Sequence, residues 1–209
     1  MTDSKPTVSI IDDDPSALKA LTRLLRSLGL NVTTFATPQE FLEHYDKNAP
    51  GCLVLDIVMP HINGLELHQT LTAKGNQLPV IFLTANGDIP MSVRAIKQGA
   101  VDFLTKPVND DDLIKAINEA IEKDRLTRQA NAKMIELQQQ LAILTPRERE
   151  VLRHVVFGKR NWQIAAELGT VEKTIKVHRA HVMTKLKVQS LAELVKLAER
   201  LGVTSSLPD

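Results

Sequence analysis

Four apolar runs each hand over to a side chain able to do phosphate chemistry. Val8–Ile11 is followed by Asp12-Asp13-Asp14, Cys52–Leu55 by Asp56, Val80–Leu83 by Thr84, and Val101–Leu104 by Thr105-Lys106. Acids at two of these ends suggest one shared acidic pocket. Three gathered carboxylates repel one another unless a cation lies among them. Hard oxygen ligands favour Mg2+, which retains water and coordinates phosphate oxygens. A carboxylate nucleophile can accept a phosphoryl group as an aspartyl phosphate. A metal and a lysine then neutralise charge on the transferring group. The Thr84 hydroxyl can bond a phosphate oxygen, so phosphorylation would reposition its loop. Each feature alone has a plain structural explanation: an N-cap for an acid, a turn at Lys106-Pro107, a cap for Thr84. It is their joint placement on ordered strands that points to phosphoryl chemistry.

These residues need strands to carry them. Short continuous apolar runs closed by turn residues read as buried parallel strands, expected at Val8–Ile11, Val32–Phe35, Cys52–Leu55, Val80–Leu83 and Val101–Leu104. Helical patterns lie between them. The first puts Leu18, Leu21, Leu24, Leu25 and Leu28 on one face, with Pro15 in its first turn and Gly29 as its end. The second runs from Pro38 to about Tyr45, and the third starts near Gly64 with Leu65, Leu67 and Leu71. The fourth starts at Pro90, with Val93 and Ile96 inward and Gly99 as a stop. The fifth follows the acidic cap Asn109–Asp112 and carries Leu113, Ile114, Ile117 and Ile121. Five βα units give an α/β, doubly wound parallel sheet with its site at the carboxyl ends of the strands.

From Glu119 to about Leu144 the chain is charged and rich in Gln and Ala, with Met134, Leu137, Leu141 and Leu144 at 3-4-3 spacing. This reads as a long helix, either pairing with another helix or packing on its own domain. Beyond it strand signals vanish. Thr145-Pro146-Arg147-Glu148 is a helix start, with helices expected at 146–157, 161–168, 172–186 and 190–200. The expected organisation is a phosphoacceptor domain over residues 1–123, a helical linker over 124–143 and an all-α domain over 144–209.

The 209 residues carry a net charge of +1 that hides an asymmetry. Residues 1–122 hold 10 Lys/Arg and 16 Asp/Glu, a net −6, whereas residues 123–209 hold 16 and 9, a net +7. An acidic half joined to a basic half fits metal or phosphate chemistry first and a polyanion second. The single cysteine, Cys52, excludes an intrachain disulfide and a cysteine-built zinc cage, and reads as a small buried residue. No apolar run approaches the ~20 residues that span a bilayer. The polar stretch Met1–Pro6 has no signal-peptide core. A soluble, cytoplasmic protein without membrane contact is expected.

Asn161–Leu168, Gly169 and Glu172–Leu186 form a helix-turn-helix pattern, with Ile164, Ala165, Leu168, Ile175, Val182 and Leu186 inward. The other face of the second helix offers Lys173, Lys176, Val177 and Ala180, flanked by Arg179 and His181. Lys176 can donate to guanine acceptors and Val177 can touch a thymine methyl. Lys159 and Arg160 are candidates for phosphate contacts. The competing reading is a protein-binding helical module with a solvated basic face.

Over residues 5–123 these motifs resemble a response-regulator receiver domain. The resemblance implies that Asp56 is the phosphoacceptor and that Asp13 and Asp56 bind Mg2+ directly. It also implies that Val58 contributes a backbone carbonyl, Asp12 acts largely through water, and Lys106 pairs with the acyl phosphate. Thr84 and Phe103 would be the switch pair. Val58 and Asn86 stand at variable family positions that tune autodephosphorylation. Over residues 141–204, Leu144–Leu152, Ile164–Leu168 and Thr174–His178 resemble a LuxR-type DNA-binding domain, with Thr174 and His178 at family positions. Three departures stand out: Trp162 replaces a usual Lys, Thr170-Val171 leaves the recognition helix without its usual cap, and Ala180 replaces an often basic residue. Gly87–Val93 with Lys97–Phe103 is similar to the FixJ-type subgroup, and Cys52–Asp56 with Gly87–Ala95 to styrene-catabolism regulators.

The resemblance implies a two-component response regulator. A histidine kinase phosphorylates it, phosphorylation favours a homodimer, and the output is promoter DNA binding with RNA polymerase as a further partner. Two other classes compete with this one. A phosphohydrolase with an aspartyl intermediate lacks support, because Asp56-Ile57-Val58 has no second acid two residues on; only slow self-dephosphorylation is expected. A protein-binding adaptor would lack sequence-specific DNA affinity.

Overall fold

The computed structural model describes residues 5–60, 63–85 and 89–203. His61, Ile62, Asn86, Gly87 and Asp88 lie outside the described residues, and so does the variable position expected at Asn86. The chain divides into two compact units, residues 1–129 and 130–209.

In the first unit, strands and helices alternate: β1 Thr7–Ile11, α1 Pro15–Ser27, β2 Asn31–Phe35, α2 Pro38–His44, β3 Gly51–Asp56, α3 Gly64–Ala73, β4 Val80–Thr84, α4 Ile89–Lys97, β5 Asp102–Thr105, and α5, which starts at Asp110 and runs to Ala142. The sheet order is β2-β1-β3-β4-β5 and every pairing is parallel. The order reverses between β1 and β3, which is where such sheets keep their sites. Ile11 lies opposite Leu55, so the register sets Asp12 beside Asp56.

Side chains alternate across the sheet into two cores. Ile11, Leu53, Leu55 and Phe82 join Phe41, Leu67 and Leu71 on one face. Ile10, Val54, Ile81 and Leu83 join Leu25, Leu113 and Ile117 on the other. All six residues of β3 are buried, as its unbroken apolar run predicts. Cys52 is fully buried, and burial pushes its thiol up to about 12.

The helices begin where side chains cap them. Asp14 accepts from the Ser16 amide at 2.8 Å, Thr37 from Glu40 at 3.1 Å and Asn63 from Leu65 at 2.9 Å. Gly29, just past α1, has φ +78°, the left-handed conformation of a helix stop. Two helical expectations are corrected. Leu28 does not join the α1 stripe, because the helix ends at Ser27 and Leu28 is half exposed. On α4, Val93 and Ile96 point outward, at 46% and 47% exposure. That helix seats itself through Ala95, fully buried, and Met91 one turn earlier. Ile89, Val93 and Ile96 therefore line its opposite side.

The expected separate helix at 119–144 is continuous with the fifth, giving one 33-residue element, Asp110–Ala142. Asp124, on its buried stripe, accepts from the Gly51 amide at 2.9 Å and from Arg128 Nε at 2.7 Å. Arg128 also donates to the Asn48 and Ala49 carbonyls. These bonds fasten α5 to the start of β3.

The second unit holds α6 Pro146–Val156, α7 Asn161–Glu167, α8 Glu172–Lys185 and α9 Leu191–Arg200. Its core is Leu144, Val151, Leu152, Val155, Ile164, Ile175, Val182, Leu186 and Leu194. The start of α6 is the expected capping box: the Glu148 amide donates to Thr145 Oγ1 and the Thr145 amide to Glu148 Oε2.

Candidate functional site

The carboxyl ends of β1, β3, β4 and β5 converge through their backbones. The Asp12 amide donates to the Phe35 carbonyl at 3.3 Å, Ile57 to Leu83 at 3.1 Å and Lys106 to Thr84 at 2.7 Å. Gly64 opens α3 directly against this edge, where an added Cβ would lie 2.2 Å from the Asp56 carbonyl oxygen. Only a residue without a side chain lets α3 begin so close to the strand end.

On this frame sit the side chains. Asp12 is 1% exposed and Asp56 7%, while Asp13 is exposed. Lys106 Nζ donates to Asp12 Oδ2 at 2.7 Å and to Asp56 Oδ2 at 2.6 Å. The other oxygen of each acid takes a backbone amide: Asp14 donates to Asp12 Oδ1 at 3.0 Å and Val58 to Asp56 Oδ1 at 3.2 Å. Burial pulls the Lys106 ammonium down, but its hydrogen bonds to Asp12 and Asp56 outweigh that and hold its pKa above the ordinary value.

One oxygen each from Asp12, Asp13 and Asp56 lies within 4.8 Å of the others, a hard-donor cluster of the kind that holds Mg2+. Thr84 is fully buried at the end of β4. Phe103, on the neighbouring strand opposite Phe82, is partly buried against the first core. Val58, whose amide donates to Asp56, is 59% exposed.

The helical unit presents a basic surface on and before α8. Lys173, Lys176, Val177, Ala180 and His181 are exposed on that helix. Lys176 pairs with Glu172 at 3.2 Å. Arg179 is partly buried and donates to Asn161 at 2.7 Å, a bond that ties α8 to α7. Lys159 pairs with Glu167 at 2.5 Å, and Arg160 is exposed beside it. Lys185, also on α8, binds the buried Glu148 at 2.6 Å. That pairing is the main reason the Glu148 carboxyl is held at about 2. Val171 is the N-cap of α8 and makes no side-chain cap bond, as the Thr170-Val171 departure implies. Trp162 is 59% exposed.

Two structural features differ in how far the sequence signals them. Asp124 continues the Leu113–Ile117–Ala120 stripe of α5, and a lone acid on an apolar stripe is itself a sequence signal. Asn161 as the holder of Arg179 left no such signal.

Residues 8–118 match the response regulator receiver domain family, and residues 142–198 match the luxR family of bacterial regulatory proteins. This chain belongs to the two-component response regulators. The regulator is 42% identical to Nodulation protein W of Bradyrhizobium diazoefficiens, over 97% of this chain and 89% of that protein. It is 43% identical to Response regulator protein TodT of Pseudomonas putida, over 96% and 88%. The solved structure of the response regulator StyR is 47% identical, covers 94% of this regulator and 100% of that chain, and superposes with a TM-score of 0.85. Full-length FixJ from B. japonicum is 40% identical over 95% and 98%, with a TM-score of 0.58. The regulator thus joins a receiver to a LuxR-type helix-turn-helix domain and acts in transcription control. Among the described residues no helix is long and apolar enough to cross a membrane.

Proposed function

We propose that Asp56 is the phosphoacceptor and that its phosphorylation by a histidine kinase governs DNA binding by α8. The carrying observation is the Lys106 ammonium bridging Asp12 and Asp56 beside Asp13. In this reading a carboxylate oxygen of Asp56 bonds to phosphorus as the bond to the kinase's histidine nitrogen breaks, and the leaving imidazole takes a proton. Asp13 and Asp56, with the Val58 carbonyl, would hold Mg2+, Asp12 acting through water, and the bound ion would neutralise charge on the phosphoryl oxygens. Lys106 then exchanges its Asp56 carboxylate for an acyl phosphate and keeps Asp12. The buried Thr84 hydroxyl turns toward the new phosphate, and Phe103, only partly buried, follows into the space vacated. Self-dephosphorylation is the only catalysis assigned.

The outward apolar residues of α4, Ile89, Val93 and Ile96, support dimerisation through the α4–β5 face. A dimer reading two half-sites multiplies a weak single-domain affinity. For DNA, Lys173, Lys176, Val177 and Ala180 face the major groove, with Arg179 and His181 at its flank and Lys159 and Arg160 on phosphates. Receivers end at residue 123 and the DNA-binding domain starts at 144 in this assignment, with RNA polymerase as the downstream partner and the cytoplasm as the compartment.

Incubation with acetyl phosphate and Mg2+ tests the nucleophile. The wild type gains one phosphoryl mass and Asp56→Asn gains none; persistent labelling of Asp56→Asn rejects the assignment.

A further inference from the structure

The helical unit carries a second convergence of ligating side chains that phosphoryl chemistry leaves unused. Glu148 lies in the first turn of α6, and His178 and His181 stand three residues apart on one face of α8. One ligating atom from each lies within 4.8 Å of the other two.

The structural duties of Glu148 explain only half of it. Its Oε2 accepts from the Thr145 amide at 2.8 Å and from Lys185 Nζ at 2.6 Å. Its Oε1 faces His181 Nδ1 across 3.6 Å, too far for a hydrogen bond. His178 Nδ1 is buried and has no hydrogen-bond partner among the described residues. A buried ring nitrogen left unpaired carries a cost that a ligand can relieve. His181 thus faces a carboxylate oxygen that neither the helix cap nor the lysine occupies, and His178 lies within ligating reach of both.

We propose that Glu148, His178 and His181 form a zinc-class metal site that clamps α8 onto α6. Two imidazoles and one carboxylate are borderline donors that suit Zn2+ over the hard cations Mg2+ and Ca2+. A tetrahedral zinc bonded at about 2.0–2.2 Å spaces its donors roughly 3.4 Å apart, close to the separation of Glu148 and His181. Three protein ligands leave a fourth position to water, which makes the site exchangeable. Lys185 competes for the same carboxylate, so it sets a ceiling on affinity. The site stands whether or not Asp56 accepts phosphate.

The test is a Zn2+ titration of the full chain carrying Asp13→Asn and Asp56→Asn, which disables the acidic cluster of the receiver. Calorimetry reads the affinity, and Co2+ in place of Zn2+ reads the geometry through tetrahedral visible bands. His181→Ala changes an exposed residue and leaves the helical circular dichroism intact. It is expected to weaken Zn2+ by at least about tenfold, the low end of what losing even an outer-shell partner costs a metal site, and to abolish the Co2+ bands. Lys185→Met is expected to tighten Zn2+ by freeing Glu148, and His44→Ala to change nothing. Equal Zn2+ affinity in the parent chain and His181→Ala, or no saturable binding in either, overturns the site.

Discussion

The two units handle charge in opposite ways. In the receiver a single base reaches into acids: Lys106 neutralises two nearly buried carboxylates at once. In the helical unit acids and amides reach out to bases: Glu172 takes Lys176, Glu167 takes Lys159, Glu148 takes Lys185 and Asn161 takes Arg179. The receiver pocket therefore holds its charges at fixed geometry, desolvated enough to act strongly. The basic face is wet, and part of its charge holds its own helices together. Among the described residues, Arg160 and Lys173 are in no ion pair and remain wholly available to a polyanion. Charges on an exposed helix-turn-helix surface of this kind are screened by salt, whereas the buried pairs of the acidic pocket are screened much less.

Removing one base from each unit gives the largest effect. Lys106→Met leaves two buried carboxylates uncompensated and is expected to cost about 3–5 kcal/mol of receiver stability without divalent cation. Mg2+ should restore most of it in a denaturant titration. Lys159→Met, which removes a partly exposed partner of the exposed Glu167, should leave the unfolding midpoint nearly unchanged. Equal losses would erase the contrast between the units. Next comes the frame of the pocket. Gly64→Ala forces a methyl against the Asp56 carbonyl and is expected to cost about 1–3 kcal/mol and to slow acetyl-phosphate labelling.

Much of the pocket was legible because its carriers are simple. Continuous apolar runs mark buried strands, and the residue after each run must fall at the same sheet edge. The bridge from Lys106 to Asp12 and Asp56 spans 94 and 50 residues, so only the sheet order discloses it. The orientation of α4 was misread for a physical reason. Ile89, Val93 and Ile96 are spaced like a core stripe, and periodicity cannot tell a core from a surface meant for another molecule. The seat of that helix is Ala95, whose small side chain gives little hydrophobic signal. In the helical unit the helices and the missing cap on α8 were legible from local residues. The capture of Arg179 by Asn161 and of Lys185 by Glu148 was not, since nothing local distinguishes a base bound for DNA from one held at home.

Two smaller effects sharpen the comparison within the helical unit. The Glu148 carboxyl is held at about 2, below its ordinary 4.5, mainly by Lys185. A depressed carboxylate contributes stability that is present above pH 4.5 and lost as pH falls through 2. Acid melts should therefore weaken the helical unit across that window, and Glu148→Gln should flatten the dependence. Val171→Ser supplies the cap that α8 lacks and is expected to add about 1 kcal/mol to this unit while leaving labelling of Asp56 unchanged.

The central claim is that chemistry at Asp56 governs binding at α8. Its most direct test is DNA affinity with and without acetyl phosphate, on promoter fragments recovered by genome-wide footprinting and across a salt series. The wild type should bind more tightly when phosphorylated, with log K falling linearly as log salt rises. Asp56→Asn should hold its unphosphorylated affinity whether or not acetyl phosphate is present. Identical curves for the phosphorylated and unphosphorylated wild type, or an equal response from Asp56→Asn, would contradict the account.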